Sequence, residues 1–392
     1  MSLYRTAEEL FQARINRRQL TTGIAAASAA AGLGLSGVGA QDATPGATPA
    51  TTYGTGEPFK AAFIYIGPVG DLGYTYAHDQ GRKALEQNVP GVTTSYLENV
   101  PENQADCERA LRGYAEEGNN LIVATSFGYG PAVISVAPQY PDIQFIHISG
   151  YQTAENVSTG FGKIEEPRYV TGFVAGKMAA TGKIGYVGAF PIPEVIRGIN
   201  AFTLGAQKAN PDVTVQVVWT NTWYDPSAET AAAQSLLDLG VDVIAQHQDT
   251  AGPQQAAEAA GKYSVGYNVD MAEQAPKAVL TSAIWNWGSY YTWAVDQIEK
   301  GEWTSNQYWG SWQDGVVDIA PIAEWVPAEI TAEANALADQ FRAGEMGVAK
   351  IFSGPIAKQD DSEGVAEGAS MSDQEILTMD WFVKGVDGSA KG

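Results

Sequence analysis

Four loops in this 392-residue chain bring aromatic rings together with carboxylates, hydroxyls and amides, the combination that grips a flat polar ring by its faces and reads its edge. The first runs Gly67-Pro68-Val69-Gly70-Asp71-Leu72-Gly73-Tyr74-Thr75-Tyr76, where the glycines let the backbone turn closely and Asp71, Tyr74, Thr75 and Tyr76 project ahead of a helix. The second, Thr125 to Pro131, carries Ser126, Phe127 and Tyr129, and Pro131 suits a first helical position whose free amides face outward. The third reads Thr220-Asn221-Thr222-Trp223-Tyr224-Asp225-Pro226, and the fourth offers Gln246, His247 and Asp249 before Gly252. Any one of these aromatics taken alone is better explained by core packing or by a surface loop. What carries the reading is that four loops share the feature. Stacking one face of a planar ring on an aromatic side chain is worth about 1–3 kcal/mol, so two faces supply a large part of a micromolar affinity of about −8 kcal/mol.

Other chemistry is poorly served. The three histidines, His78, His147 and His247, lie far apart, and the chain has no His-Glu-x-x-His, EF-hand, P-loop or Gly-x-Ser-x-Gly pattern. Ser126 and His147 follow different strands and lack the third member of a triad, so no enzyme activity is expected, and no metal or cofactor either. His147 sits on an apolar strand and reads as a core histidine. The single cysteine, Cys107, can form no intrachain disulfide and reads as a helix-packing residue. A formal charge of −22 excludes nucleic acid as a partner, because that binding depends on clustered Lys and Arg.

The elements that must position these loops begin after an N-terminal address. Arg17 and Arg18 precede an apolar, small-residue stretch from Ile24 to Val38 that ends in Val38-Gly39-Ala40, a small-x-small cleavage pattern. About 15 apolar residues fall short of the roughly 20 that span a bilayer. Residues 1–40 are therefore read as a twin-arginine-type export signal, and the Ala/Thr/Pro/Gly-rich residues 41–58 as a tether. The Gly32-Leu33-Gly34-Leu35-Ser36-Gly37 match to a dinucleotide-binding loop lies inside that segment with no strand before it and is discounted. The expected location is outside the cytoplasmic membrane, with direct membrane contact only through an uncleaved signal.

From Lys60 onward, short apolar runs of strand length alternate with helical patterns, first over Lys60 to Ile148 and again over Ile184 to Gly266. The pattern predicts an α/β protein of two doubly wound parallel-sheet lobes joined by hinge strands, with the loops at the carboxyl ends of the strands facing a shared cleft. Crossings are expected near Gly160 to Ile164, near Thr281 to Ile284 and after Asp314. Lobe 1 would then hold residues 59–162 plus about 285–312, and lobe 2 residues 163–284 plus about 313–392.

At the level of motifs the chain resembles the basic membrane protein family of purine- and nucleoside-binding receptors of ABC importers. The resemblance runs from about Lys60 to Asp387. It rests on Asp71-Leu72-Gly73-Tyr74-Thr75, Ile184-Gly185-Tyr186-Val187-Gly188 followed by Ile192-Pro193 and a helix ending Asn210-Pro211, Trp223-Tyr224-Asp225-Pro226, Asp242-Val243-Ile244 and Val279-Leu280-Thr281-Ser282. It implies a type I periplasmic-binding-protein fold, a monomer, a small-molecule ligand and an importer permease as partner. The two aromatics that clamp the purine in that family fall on Tyr74 and Trp223. The charged groups that hold the ribose there fall on Asn268, with Asp270 two residues on, and on Trp285. An acidic residue the family carries near Pro131 is absent, and its base-binding asparagine is replaced by Thr75. A tryptophan in place of a ribose-binding lysine removes a donor and fills volume, so a free, adenine-like purine base is expected. The alternatives are a purine nucleoside, a sugar or a purine-processing enzyme.

Overall fold

The computed structural model describes residues 58–392; the signal-like segment and the tether lie outside the described residues. From Phe59 the chain lays down β1 (Phe59–Ile64), α1 (Tyr74–Asn88), β2 (Val92–Leu97), α2 (Gln104–Glu116), β3 (Leu121–Ala124), α3 (Gly130–Val136), β4 (Gln144–Ile148) and β5 (Val157–Gly162). It crosses through α4 (Glu165–Met178) into β6 (Lys183–Gly188), α5 (Pro193–Ala209), β7 (Thr214–Trp219), α6 (Pro226–Asp238), β8 (Val243–His247), α7 (Gly252–Ala259), β9 (Tyr263–Asn268) and β10 (Val279–Trp285). It returns through α8 (Trp287–Glu299) to β11 (Gln307–Gly310), then passes to β12 (Val317–Ile319) and α9 (Ala328–Arg342). After α9 come α10 (Val348–Ile351), the pair β13 (Ile356–Ala357) and β14 (Glu363–Val365), α11 (Asp373–Leu377) and β15 (Val386–Asp387).

Two sheets result. The first has the order β11-β5-β4-β3-β1-β2 and is parallel throughout; the second has the order β12-β10-β9-β8-β6-β7-β15, with β12 alone antiparallel. Helices cover the faces of such sheets, so the central strands are apolar without alternation: Leu121, Ile122, Val123 and Ala124 of β3 are all buried. The α/β architecture of two parallel-sheet lobes is the one the alternating pattern predicts. The chain passes between the sheets three times, after Gly162, after Trp285 and after Gly310. Side-chain caps fix the loops before α2, α6 and α11: Asn103 accepts from the Asp106 N–H, Asp225 from the Ser227 and Ala228 N–H groups, and Ser372 from the Glu375 N–H.

One helix escapes the sequence pattern. α4 begins Glu165-Glu166-Pro167-Arg168, which reads as a solvated turn, yet all four residues are buried. Glu165 is salt-bridged to Arg197, and Glu166 accepts the Trp312 N–H at 2.8 Å. The helix packs on α5 with the backbones nearly touching: a methyl on Gly172 would lie 2.0 Å from the Phe202 carbonyl oxygen, and one on Gly205 1.9 Å from that of Tyr169. Gly205→Ala is therefore expected to lower stability by about 1–3 kcal/mol through overpacking. A chemical-denaturation midpoint equal to the parent's would contradict this contact.

Candidate functional site

Residues from both sheets line one small cavity between the carboxyl ends of their strands. From the first lobe come Ile66 after β1, Tyr74 at the start of α1, Ser126 and Phe127 after β3, Ser149 after β4 and Phe161 in β5. From the second come Glu194 in the first turn of α5, Trp223 after β7, His247 at the end of β8, Asp249 just beyond it and Tyr267 in β9. With the exceptions of Phe161 and Tyr267, which sit within strands, and Glu194, these are loop or strand-end positions, where ligands bind in parallel α/β sheets.

Each ring is braced. Tyr74 meets His78 edge-on at 4.3 Å between centroids, and its hydroxyl lies 3.3 Å from Ser149 Oγ. His78 is stacked on Trp287 at 4.4 Å and bonded through Nδ1 to the Tyr291 hydroxyl at 2.6 Å. Trp223 meets Phe190 edge-on at 4.7 Å and lies 6.0 Å from the His247 ring. Ser126 donates to Glu102 Oε1 at 2.5 Å, which also takes the Gly128 N–H at 2.8 Å. An acidic group thus reaches this loop from the β2–α2 connection, although none stands near Pro131 in sequence.

The two lobes touch at the loop before α1. The backbone of Gly73 lies against that of Asp249, and the Tyr74 N–H is hydrogen-bonded to the Asp249 side chain. Asn268 Nδ2 donates to the same carboxyl at 3.1 Å. Burial, the Asp71 charge and the Glu229 charge push the Asp249 carboxyl well above the usual carboxylate range. Burial likewise raises Asp71 to about 6, against the lowering effect of the Gly73, Tyr76 and Thr75 N–H groups that it accepts. Glu194 behaves oppositely. Burial alone would raise it, but His247, Arg197 and Arg168 outweigh that and hold it below the usual range.

The sequence-derived candidates divide. Tyr74, Trp223, Ser126, Phe127, His247 and Asp249 line the cavity. Asp71 and Thr75 do not: the carboxylate caps the start of α1, and the Thr75 hydroxyl accepts the Gly67 N–H at 3.2 Å. Tyr76 lies in the first turn of α1 outside the lining, and Tyr129 is in the core with its hydroxyl on the Val100 carbonyl. Gln246 is buried within β8, its amide donating to the Gln248 and Thr250 carbonyls. Asn268 stands one layer back, linking Asp249 to the Trp285 indole N–H. Asp270 is exposed and accepts the Ala272 N–H. Trp285 does not wall the cavity; it stacks on Trp287 at 4.7 Å, the two rings flanking Asn286 where the chain passes from one sheet to the other. His147 is a core histidine, bonded to the Ser126 carbonyl, and burial lowers its pKa to about 4.

The additional lining residues are Ile66, Ser149, Phe161, Glu194 and Tyr267. Glu194 had a readable signal: it follows Ile192-Pro193 at a strand-to-helix turn, the same kind of place as the other loops. Phe161 and Tyr267 lie within strands and carry no such mark. Among the described residues no cluster of metal-ligating side chains occurs, and no helix is long and apolar enough to cross a membrane.

Two parallel-sheet lobes joined by three crossings, with a cavity lined from both, define a two-lobed small-molecule binding protein. Residues 59–342 match the family described as ABC transporter substrate-binding protein PnrA-like, and the chain belongs to it. It is 43% identical to a purine-binding protein of Brucella abortus over 84% of this chain and 93% of that one. It is also 39% identical to a putative ABC transporter glucose-binding protein of Haloferax volcanii, over 75% and 74% of the two chains. Among solved structures it is similar to an ABC transporter solute-binding protein of Conexibacter woesei, with a TM-score of 0.61, 23% identity and coverage of 75% and 100%, a likeness of fold. The family implies an extracytoplasmic protein that takes a small-molecule ligand and works with a transporter permease.

Proposed function

We propose that this protein captures a free, adenine-like purine base between its lobes and delivers it to an ABC importer, without chemical change to the ligand. The observation that carries the reading is that Tyr74 of one lobe and Trp223 of the other line a single cavity beside hydrogen-bonding groups on Ser126, Ser149, Glu194, His247 and Asp249. Two stacking faces at about 1–3 kcal/mol each suit a planar heterocycle. The name of the Brucella abortus relative supports the same ligand class. Residues 59–162 with 285–312 and residues 163–284 with 313–392 form the two bodies, which hinge at the three crossings; ligand favours closure because only the closed form touches it from both sides. The twin-arginine segment and tether present the receptor outside the cytoplasmic membrane as a monomer.

The name of the Haloferax volcanii relative and the two cavity carboxylates, Glu194 and Asp249, favour a second reading, a sugar. Calorimetry against adenine, guanine, hypoxanthine, adenosine and glucose decides. Micromolar or tighter binding of a base, with adenosine and glucose much weaker, is expected. Preferential glucose or adenosine binding overturns the proposal.

Closure also has a pH signature. Opening the lobes returns Asp249 to water and an ordinary carboxylate pKa, whereas the closed form holds it well above that value beside Asp71 at about 6 and Glu229 at about 7. The closed form therefore binds more protons, so closure is favoured at low pH and lost as pH rises. Purine affinity is expected to fall as pH increases from about 4 through 6 and beyond, and Asp249→Asn should flatten that slope. A pH-independent dissociation constant for the parent over this window would refute the coupling.

A further inference from the structure

We infer that Glu194, steadied by His247, accepts the N–H that a free purine base carries in its five-membered ring and that a nucleoside lacks. The inference rests on the purine reading above and adds what would separate base from nucleoside. Glu194 lines the cavity from the first turn of α5, with its side chain 15% exposed and that of His247 9%. Its Oε1 meets His247 Nε2 at 3.0 Å. Its Oε2 makes no hydrogen bond among the described residues. Behind it stand two buried guanidinium groups: Arg197, salt-bridged to Glu165, and Arg168, which lies 4.0 Å over the Tyr267 ring. Their positive field and the His247 contact keep the Glu194 carboxyl ionised in spite of its burial.

An ionised carboxylate only accepts hydrogen bonds. Closed into a cavity without a donor it loses its hydration for nothing, so the ligand must bring an N–H or O–H to it. His247 already fills one acceptor site of Oε1, which leaves Oε2 as the oxygen without a partner. A single donor fits what remains. Among purines, the five-membered-ring N–H is common to every free base and is replaced by the glycosidic bond in every nucleoside. The His247 ring lies 6.0 Å from Trp223 and 4.9 Å from Tyr267, so the pair stands next to the indole proposed to stack, within reach of the edge of a ring lying there.

The test is calorimetry of the full chain and its Glu194→Gln variant against adenine and 9-methyladenine, with melting curves as a check on folding. The parent is expected to bind adenine at least about tenfold more tightly than 9-methyladenine, and Glu194→Gln to lose at least about tenfold for adenine, the range of a charged hydrogen bond. The same substitution should not weaken 9-methyladenine and should strengthen it if anything, because there the bond is already missing and the unpartnered carboxylate is removed. Equal parent affinity for the two ligands overturns the inference, as does an unchanged adenine affinity in a folded Glu194→Gln. Should that variant fail to fold, the parent's ratio for the two ligands still decides. If adenine binds and Glu194 is silent, this inference alone falls; if the parent binds no purine base, the purine reading falls and this inference with it.

Discussion

Gly73→Ala is expected to weaken ligand binding by at least about a hundredfold while leaving the ligand-free protein as stable as its parent. A methyl at this position would lie 2.2 Å from the Asp249 carbonyl oxygen and 2.6 Å from its carbonyl carbon and Cα. These are backbone atoms of the opposite lobe at the end of β8, so no side-chain rotation relieves the overlap. Opening of the lobes is expected to part Gly73 from Asp249 and so to relieve this overlap. The substitution therefore acts on the open–closed equilibrium, and apparent affinity falls in proportion to the closed fraction that remains accessible. Calorimetry combined with small-angle scattering reads both halves: binding lost, and no compaction when ligand is added. Wild-type affinity in Gly73→Ala would mean that this contact is not part of the binding-competent form.

The second large effect is expected at the two rings. Trp223→Ala removes the second-lobe face and Tyr74→Ala the first-lobe face, and each should cost about 1–3 kcal/mol, roughly 5- to 150-fold in dissociation constant. Tyr74→Phe keeps the stacking face and loses only the hydroxyl contact to Ser149, so it should fall well short of the alanine variant. Neither ring is fully buried, so folding should survive; Trp223 nonetheless packs on Phe190, and a small loss of melting temperature is expected there. Because both faces hold one ligand, the double variant should lose less than the sum of the two singles where the rings act as a unit. Unaltered affinity in either alanine variant would remove that ring from the site.

Much of the fold was legible because covered parallel strands leave short apolar runs and their connecting helices leave a longer period; β3 and the Asp225-capped α6 are plain in the chain. α4 was not, since its opening charges look solvated and are in fact neutralised by Arg197 and by the Trp312 backbone, partners distant in sequence. The candidate site was legible where glycine and proline mark a loop, as at Tyr74, Ser126 and Trp223. It was misleading where a polar group turns back to nearby backbone: Asp71 and Thr75 have the right chemistry, but Asp71 spends it on the start of α1 and Thr75 on the Gly67 N–H. Trp285 is a ligand-contact position only by the family resemblance, and its ring lies against Trp287 at a crossing between the sheets. Glu194 went unnoticed because an acidic residue in a first helical turn is explained well enough by the helix dipole. Only the folded structure, in which residues of the first lobe stand across from the start of α5, reveals that it lines the cavity.

The central claim is that a flat base lies between a tyrosine of one lobe and a tryptophan of the other. A crystal structure of the protein grown with adenine tests it most directly. The account predicts electron density for the base sandwiched between Tyr74 and Trp223, with its edge toward Glu194 and Asp249. Adenine bound elsewhere, or bound in this cavity with its faces against other residues, would contradict it.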